Sequence, residues 1–129
     1  MSENNACACS SAPKLIFACS GAADVGALAD QAARKMTRDG NGKMFCLAGI
    51  GGRVSGIMMS TQAASAILAI DGCALNCAKK SLEEAGFTGF EHLLLSDLGF
   101  QKGESPVTDE AVAKIAEEGA KLISKGVCR

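Results

Sequence analysis

Seven cysteines are the residues of this chain whose chemistry stands out, at positions 7, 9, 19, 46, 73, 77 and 128. An apolar run ends abruptly at Asp71-Gly72, and Cys73 and Cys77 follow, four residues apart. In α/β proteins, ligands bind where a strand gives way to a helix, because backbone N–H groups and loop side chains converge there. Thiols at such a junction can ligate a soft metal ion or act as nucleophiles. The segment 71–77 is therefore the first candidate site.

The cellular setting of these thiols is predicted from the N-terminus and from the charge. Residues 1–5 are polar and acidic, unlike the positive and apolar segments of a signal peptide, so we expect a cytoplasmic protein. Disulfides are rare there, and cysteine richness with an odd count favours metal binding or thiol chemistry. Because the formal net charge is only −1, we expect no nucleic acid as partner. Because no long apolar segment is present, we expect no membrane association. A homodimer is left open.

The elements that must position the thiols follow from the hydrophobic periodicity. Short apolar runs predict strands at 14–18, 43–47, 66–70 and 91–95. Segments with helical spacing predict helices at 22–38, 54–64, 75–85 and 111–125, the last of them capped by Thr108. Repeated strand–helix units predict an α/β fold: a small, open, mostly parallel sheet of about four strands in the order 2-1-3-4. Helices would cover both faces in a Rossmann-like three-layer sandwich.

The domain organisation is predicted to be simple. Residues 1–13 are expected to form a flexible arm that carries Cys7 and Cys9 and ends at Pro13. Residues 14–129 are expected to form a single α/β domain, since no linker or long-period repeat divides them. With five Phe and neither Trp nor Tyr, the core must be built mainly from aliphatic side chains, which favours helices packed closely on a sheet.

Four of the cysteines fall at comparable points of the strand–helix pattern. Cys19 ends the first predicted strand, Cys46 lies at the end of the second, and Cys73 follows the third, with Cys77 one turn into the next helix. In the order 2-1-3-4 the first three strands are neighbours about 4.8 Å apart, so the four sulfurs would lie along one edge. A tetrahedral zinc ion needs thiolate sulfurs roughly 3.7 Å apart, which side chains at such positions can reach. Cu(I) and iron–sulfur clusters also suit thiolates, and ligand type does not choose among them.

Three segments resemble those of the DGC-domain family, which is described as zinc-binding. They are 19–26, 46–52, and the triplet Asp71-Gly72-Cys73 with Cys77. The resemblance covers most of the chain, from about residue 14 to the last helix, and it implies four chelating cysteines. These map onto Cys19, Cys46, Cys73 and Cys77. The preferred hypothesis is therefore a closed structural, storage or sensing metal site, since no spare His, Glu and water position indicates a hydrolytic one.

A second hypothesis belongs to a different class of function. A thiol at a strand-to-helix turn lies near a helix N-terminus, which raises its thiolate fraction. Cys19 would then be a nucleophile and Cys73 or Cys77 the resolving thiol, in redox chemistry, sulfur transfer or the handling of a thiophilic element. The chain contains no CxxC redox motif, which argues against this hypothesis. Whether the protein is an enzyme is left open.

Three further side chains have more than one interpretation. Asp71 is either an additional or supporting group of a metal site or the cap of the following helix. His92, the only histidine, is interpreted as a structural residue rather than a ligand. Arg53 lies in a glycine-rich segment, 49–56, that lacks the spacing of a nucleotide-binding motif. A nucleotide site there is left open as an alternative, and Arg53 is interpreted as a surface residue.

Overall fold

Strands and helices alternate along residues 12–125, the part of the chain that the computed structural model describes. Cys7, Cys9 and Cys128, and nearly all of the predicted arm, lie outside the described residues. The strands are β1 (Lys14–Ala18), β2 (Lys43–Met44), β3 (Ala66–Asp71) and β4 (Glu91–Leu94). The helices are α1 (Asp24–Arg38), α2 (Leu47–Gly51), α3 (Ser55–Ala63), α4 (Cys77–Glu84) and α5 (Asp109–Ser124), with a 3₁₀ turn at Leu95–Leu98.

The four strands form one parallel sheet in the order β2-β1-β3-β4, as predicted. Side chains alternate between its faces, so the core has two halves. Ile16, Leu68 and Ile70 pack with α1 and α5 on one face. Phe17 and Ala69 pack with α2 and α4 on the other. This is the predicted three-layer sandwich. None of the helices within residues 12–125 has the length and apolar character needed to cross a membrane.

The second strand is shorter than the sequence predicts. It covers only Lys43–Met44, whereas the prediction extended it to residue 47. Leu47 instead begins α2, because a short apolar run such as Leu47–Gly51 cannot be assigned to strand or helix by its hydrophobicity alone. The edge position of the strand also leaves it with one neighbour to hold it extended. Cys46 consequently lies at the N-cap position of a helix rather than at a strand end.

The start of α4 also differs from the prediction. The helix begins at Cys77 rather than near residue 75, because Asn76 has a left-handed backbone with φ of 56° that a helix cannot contain. Cys73 therefore lies in the loop before the helix, as expected, but Cys77 is the first residue of the helix and not one turn into it.

The start of α1 is held by a loop contact and the start of α5 by a side-chain cap. Thr108 Oγ1 accepts a hydrogen bond from the Ala111 N–H at 3.1 Å, which confirms the predicted cap of α5. At the start of α1, the Asp24 carboxylate accepts hydrogen bonds from the N–H groups of Gly103 and Ser105 at 2.8 and 2.9 Å. These two bonds hold the pKa of Asp24 below its ordinary value and tie the loop before α5 to α1.

Candidate thiol site at the carboxyl edge of the sheet

Cys19 lies where the first strand ends beside the third. Its N–H donates to the Ile70 carbonyl at 3.0 Å, so strand pairing continues to this residue. Its half-buried Sγ accepts a hydrogen bond from the Gly72 N–H at 3.4 Å. The chain then turns sharply, because Ser20 has a φ of 52° and its hydroxyl donates to Asp30 on α1 at 2.8 Å. The thiol is therefore fixed between the ends of β1 and β3, the point at which the strand order reverses.

Gly72 lets the β3–α4 loop pack directly on α1. A Cβ at this position would lie 2.8 Å from backbone atoms of Val25, closer than real side chains approach a backbone. Gly26, the next residue of α1, is equally constrained, because a Cβ there would overlap the backbone of Gly21. These two glycines bring the Cys19 and Cys73 loops against the same helix start.

Asp71 is the buried anchor of this edge, with 1% of its surface exposed. Its carboxylate accepts hydrogen bonds from the N–H groups of Ala78 and Lys79 at 2.7 and 3.0 Å, at the N-terminus of α4. Its Oδ2 also lies 2.8 Å from His92 Nε2 on the neighbouring strand. Of the two interpretations of Asp71, helix capping is the one that the contacts bear out. The sequence did not reveal the pairing with His92, which depends on the register of β3 and β4.

The Cys73–Cys77 segment is a tight loop that leads into α4. The Asn76 N–H donates to the Cys73 carbonyl at 3.1 Å, which closes a turn. Cys73 is half-buried and Cys77 is exposed. The side-chain oxygen of Asn76 is buried and has no hydrogen-bond partner within residues 12–125. The two thiols thus emerge from one loop with different accessibility.

Cys19 and Cys46 line a common cleft of about 1060 Å³ at the ends of β1 and β2. Another part of the cleft wall belongs to α1 and includes Arg34 and Arg38. Cys73 and Cys77 lie outside the lining of this cleft. Although partial burial opposes its ionisation, hydrogen bonds from Arg34 and Ser20 hold the pKa of Asp30, on the same wall, below its ordinary value.

Arg53 is exposed, as its sequence context indicated, and it also connects two helices. Its guanidinium donates to the carbonyl groups of Ile50 and Gly51 at 2.8 and 3.3 Å, in α2. It also donates to the Glu84 carbonyl at 3.1 Å, at the end of α4. A cation at the carboxyl ends of two helices satisfies carbonyl groups that lack intrahelical partners. Arg53 therefore joins the helix that follows Cys46 to the helix that begins at Cys77.

All four predicted site cysteines are free thiols at the carboxyl edge of the sheet. The structure joins Cys19 to the Cys73 loop through Gly72, and it joins Cys19 to Cys46 through the cleft. Within residues 12–125, however, no group of three or more His, Cys, Asp or Glu side chains is arranged so that it could hold a metal ion. The donor set suits a thiophilic metal, but the four thiols do not form a preformed cage.

Comparison with known proteins assigns the chain to one family. A family model of the DGC domain matches residues 15–119. The chain is 38% identical over 88 residues to the anaerobic and virulence modulator AnvM of Pseudomonas aeruginosa. The aligned segment covers 68% of this chain and 67% of that protein. No solved structure matches.

Proposed function

Because this chain belongs to the DGC-domain family, we propose that it binds one thiophilic metal ion, zinc foremost, through four cysteine thiolates. The ligands are Cys19, Cys46, Cys73 and Cys77. The observation that carries the proposal is the convergence of four free thiols on one sheet edge from three separate loops. A bound zinc ion would crosslink these loops. With four thiolate ligands its tetrahedral coordination would be complete and closed to substrate.

Binding requires the thiols to approach one another. Cys19 is held by strand pairing and by Gly72, so it is the fixed member of the set. Cys46 and Cys77 are exposed at the starts of α2 and α4, where they can move with less disturbance of the core. The proposal therefore includes a movement of the exposed Cys46 and Cys77 side chains toward Cys19 and Cys73, while Asp71 keeps the backbone at the start of α4 in place.

The test is the metal content of the full-length protein after purification from zinc-supplemented medium. Wild type and Cys128→Ser, a control outside the proposed ligand set, should each retain about one equivalent of zinc. Cys73→Ser should lose most of it. Cadmium titration gives a second readout, because thiolate-to-metal absorption is easily seen in a chain without Trp and Tyr. If wild type and Cys73→Ser both remain metal-free and show no cadmium band, the proposal is wrong.

A second candidate function is thiol exchange or transfer at Cys19. It is favoured by the N–H of Gly72, which donates to the sulfur. Such hydrogen bonds are stronger to a charged acceptor than to a neutral one. Exposure alone predicts that an alkylating reagent modifies Cys77 before the half-buried Cys19. Faster modification of Cys19 in the metal-free protein would support this function, and modification in the order of exposure would contradict it.

A further inference from the structure

The cleft between Cys19, Cys46 and α1 carries positive charge that no protein group within residues 12–125 neutralises. Its charged lining side chains are Asp30, Arg34 and Arg38, which are spaced four residues apart on one face of α1. Asp30 accepts from Arg34 at 2.7 Å, so these two charges cancel. Arg38 is exposed and forms no ion pair with any residue in the described range. One guanidinium therefore remains available, on a chain whose formal net charge is −1.

The cleft is also held in shape by contacts independent of any ligand. The Ser20 hydroxyl donates to Asp30, which fixes the turn after Cys19 against the α1 wall. The Phe45 N–H donates to the Ile16 carbonyl at 2.8 Å, which fixes the chain just before Cys46. Two thiols and a free guanidinium thus line one volume of about 1060 Å³, slightly above the usual range of small-molecule sites.

We propose that this cleft binds low-molecular-weight disulfides that carry carboxylates, with Arg38 holding the carboxylate and the cleft thiols Cys19 and Cys46 reacting with the sulfur. The proposal rests on the thiol-exchange function described second above and not on metal binding. It adds the substrate class: an anionic disulfide that is small enough to enter the cleft.

The exchange balances within the two reactants. A cleft thiol loses its proton, and its sulfur attacks the nearer sulfur of the ligand. The ligand S–S bond breaks while a mixed protein–ligand disulfide forms. The other half of the ligand leaves as a thiolate and takes up the proton. The ligand disulfide is the oxidant, and no further reactant is needed.

The test compares three disulfides on metal-free, full-length protein at low ionic strength. They are dithiodipropionate, which is anionic, 2-hydroxyethyl disulfide, which is neutral, and cystamine, which is cationic. Adducts are quantified for each cysteine by mass spectrometry. In wild type, Cys19 and Cys46 should prefer the anionic over the neutral disulfide. In Arg38→Gln this preference should fall about three- to tenfold, the effect of one nearby charge, while Arg38→Lys should retain it.

Two controls separate the cleft from general charge effects. Cys77 is exposed and outside the cleft, so its preference should not change in Arg38→Gln. Lys125→Gln removes one positive charge at the end of α5. This end of the helix lies at the opposite, amino edge of the sheet, where Ile123 is close to Gly42. It should leave all preferences unchanged.

The possible failures are distinguishable. If wild type shows no anionic preference at Cys19 and Cys46, or if Arg38→Gln leaves that preference unchanged, the substrate class is overturned. A preference that falls equally at Cys77 would also overturn it, since the effect would not belong to the cleft. If the cleft thiols react with none of the three disulfides while Cys77 does, the thiol-exchange function itself fails.

Discussion

At the scale of single residues, the carboxylate of Asp71 joins three parts of the molecule. Asp71 is the last residue of the buried strand β3. Its carboxylate accepts hydrogen bonds from two N–H groups at the start of α4 and contacts His92 on β4. The residue next to it, Gly72, packs on α1 and donates to Cys19. The triplet Asp71-Gly72-Cys73 thus combines a buried anchor, a close backbone contact and a thiol.

Asp71→Asn should destabilise the protein by about 1–3 kcal/mol, because one buried charged acceptor is replaced by an amide that cannot satisfy both helix N–H groups. The free energy of unfolding in urea measures the effect. Asp97→Asn, at an exposed acid, should stay within about 0.5 kcal/mol of wild type. Equal unfolding midpoints for Asp71→Asn and wild type would contradict the anchoring role.

Asp24 predicts a pH dependence of stability. Hydrogen bonds from Gly103 and Ser105 lower its pKa in the folded state below the ordinary value of an aspartate. A depressed folded pKa contributes stability above the unfolded value, and that stability is lost as the pH falls through the folded value. The difference in unfolding free energy between wild type and Asp24→Asn should therefore be largest near neutral pH and shrink below about pH 4.

Urea unfolding at several pH values from neutral to acid checks this dependence. Glu117→Gln, an exposed acid on α5, serves as the matched control and should show no such convergence with wild type. A difference between wild type and Asp24→Asn that is constant across the range would mean that the contact with the 103–105 loop does not distinguish the charged from the neutral carboxyl group.

At the scale of elements, the sheet could be predicted from the sequence, but the short helix α2 and the start of α4 could not. The four parallel strands and their order follow from the repetition of apolar runs and helical segments, and β1 has the predicted bounds. The helix α2 was missed as a whole, because its first apolar residues fit the end of a strand equally well. The start of α4 was missed because the residues around Asn76 suit a helix, and their types do not reveal that the backbone of Asn76 is left-handed.

The candidate site was predicted to the same degree. Placing Cys19 and Cys73 at one edge required only the strand order. Their accessibility, the cleft shared by Cys19 and Cys46, and the Asp71–His92 contact depend on register and on loop geometry, which hydrophobic periodicity does not determine. The gathering of four thiols around one metal ion stays a prediction.

Gly72→Ala tests the packing between the β3–α4 loop and α1. The added Cβ would lie 2.8 Å from the Val25 backbone, so the loop must shift, and we expect a loss of about 1–3 kcal/mol in unfolding free energy. The shift should also expose Cys19 and accelerate its alkylation. Gly51→Ala is the matched control, because a Cβ there meets nothing within 4 Å. It should be neutral or slightly stabilising. Wild-type stability in Gly72→Ala would contradict this close contact.

At the scale of the whole molecule, we propose that a metal ion joins three loops at one edge of the sheet. A ligand that binds only the folded state raises its stability, by about 2.7 kcal/mol at a free concentration one hundred times Kd. Added zinc should therefore raise the unfolding temperature of wild type and of Cys128→Ser, and excess chelator should reverse the rise. Cys46→Ser should show a much smaller rise. Equal shifts in all three proteins would indicate binding elsewhere in the chain.

The two edge strands are short, which limits how other proteins can pair with the sheet. Within residues 12–125 the sheet ends on one side in a two-residue strand and on the other in a four-residue strand. Short edges offer few open backbone groups, so they are poor templates for adding a foreign strand or for seeding fibrils. Another macromolecule would accordingly bind side chains on helices and loops, and the folded protein should not associate edge to edge through its sheet at high concentration.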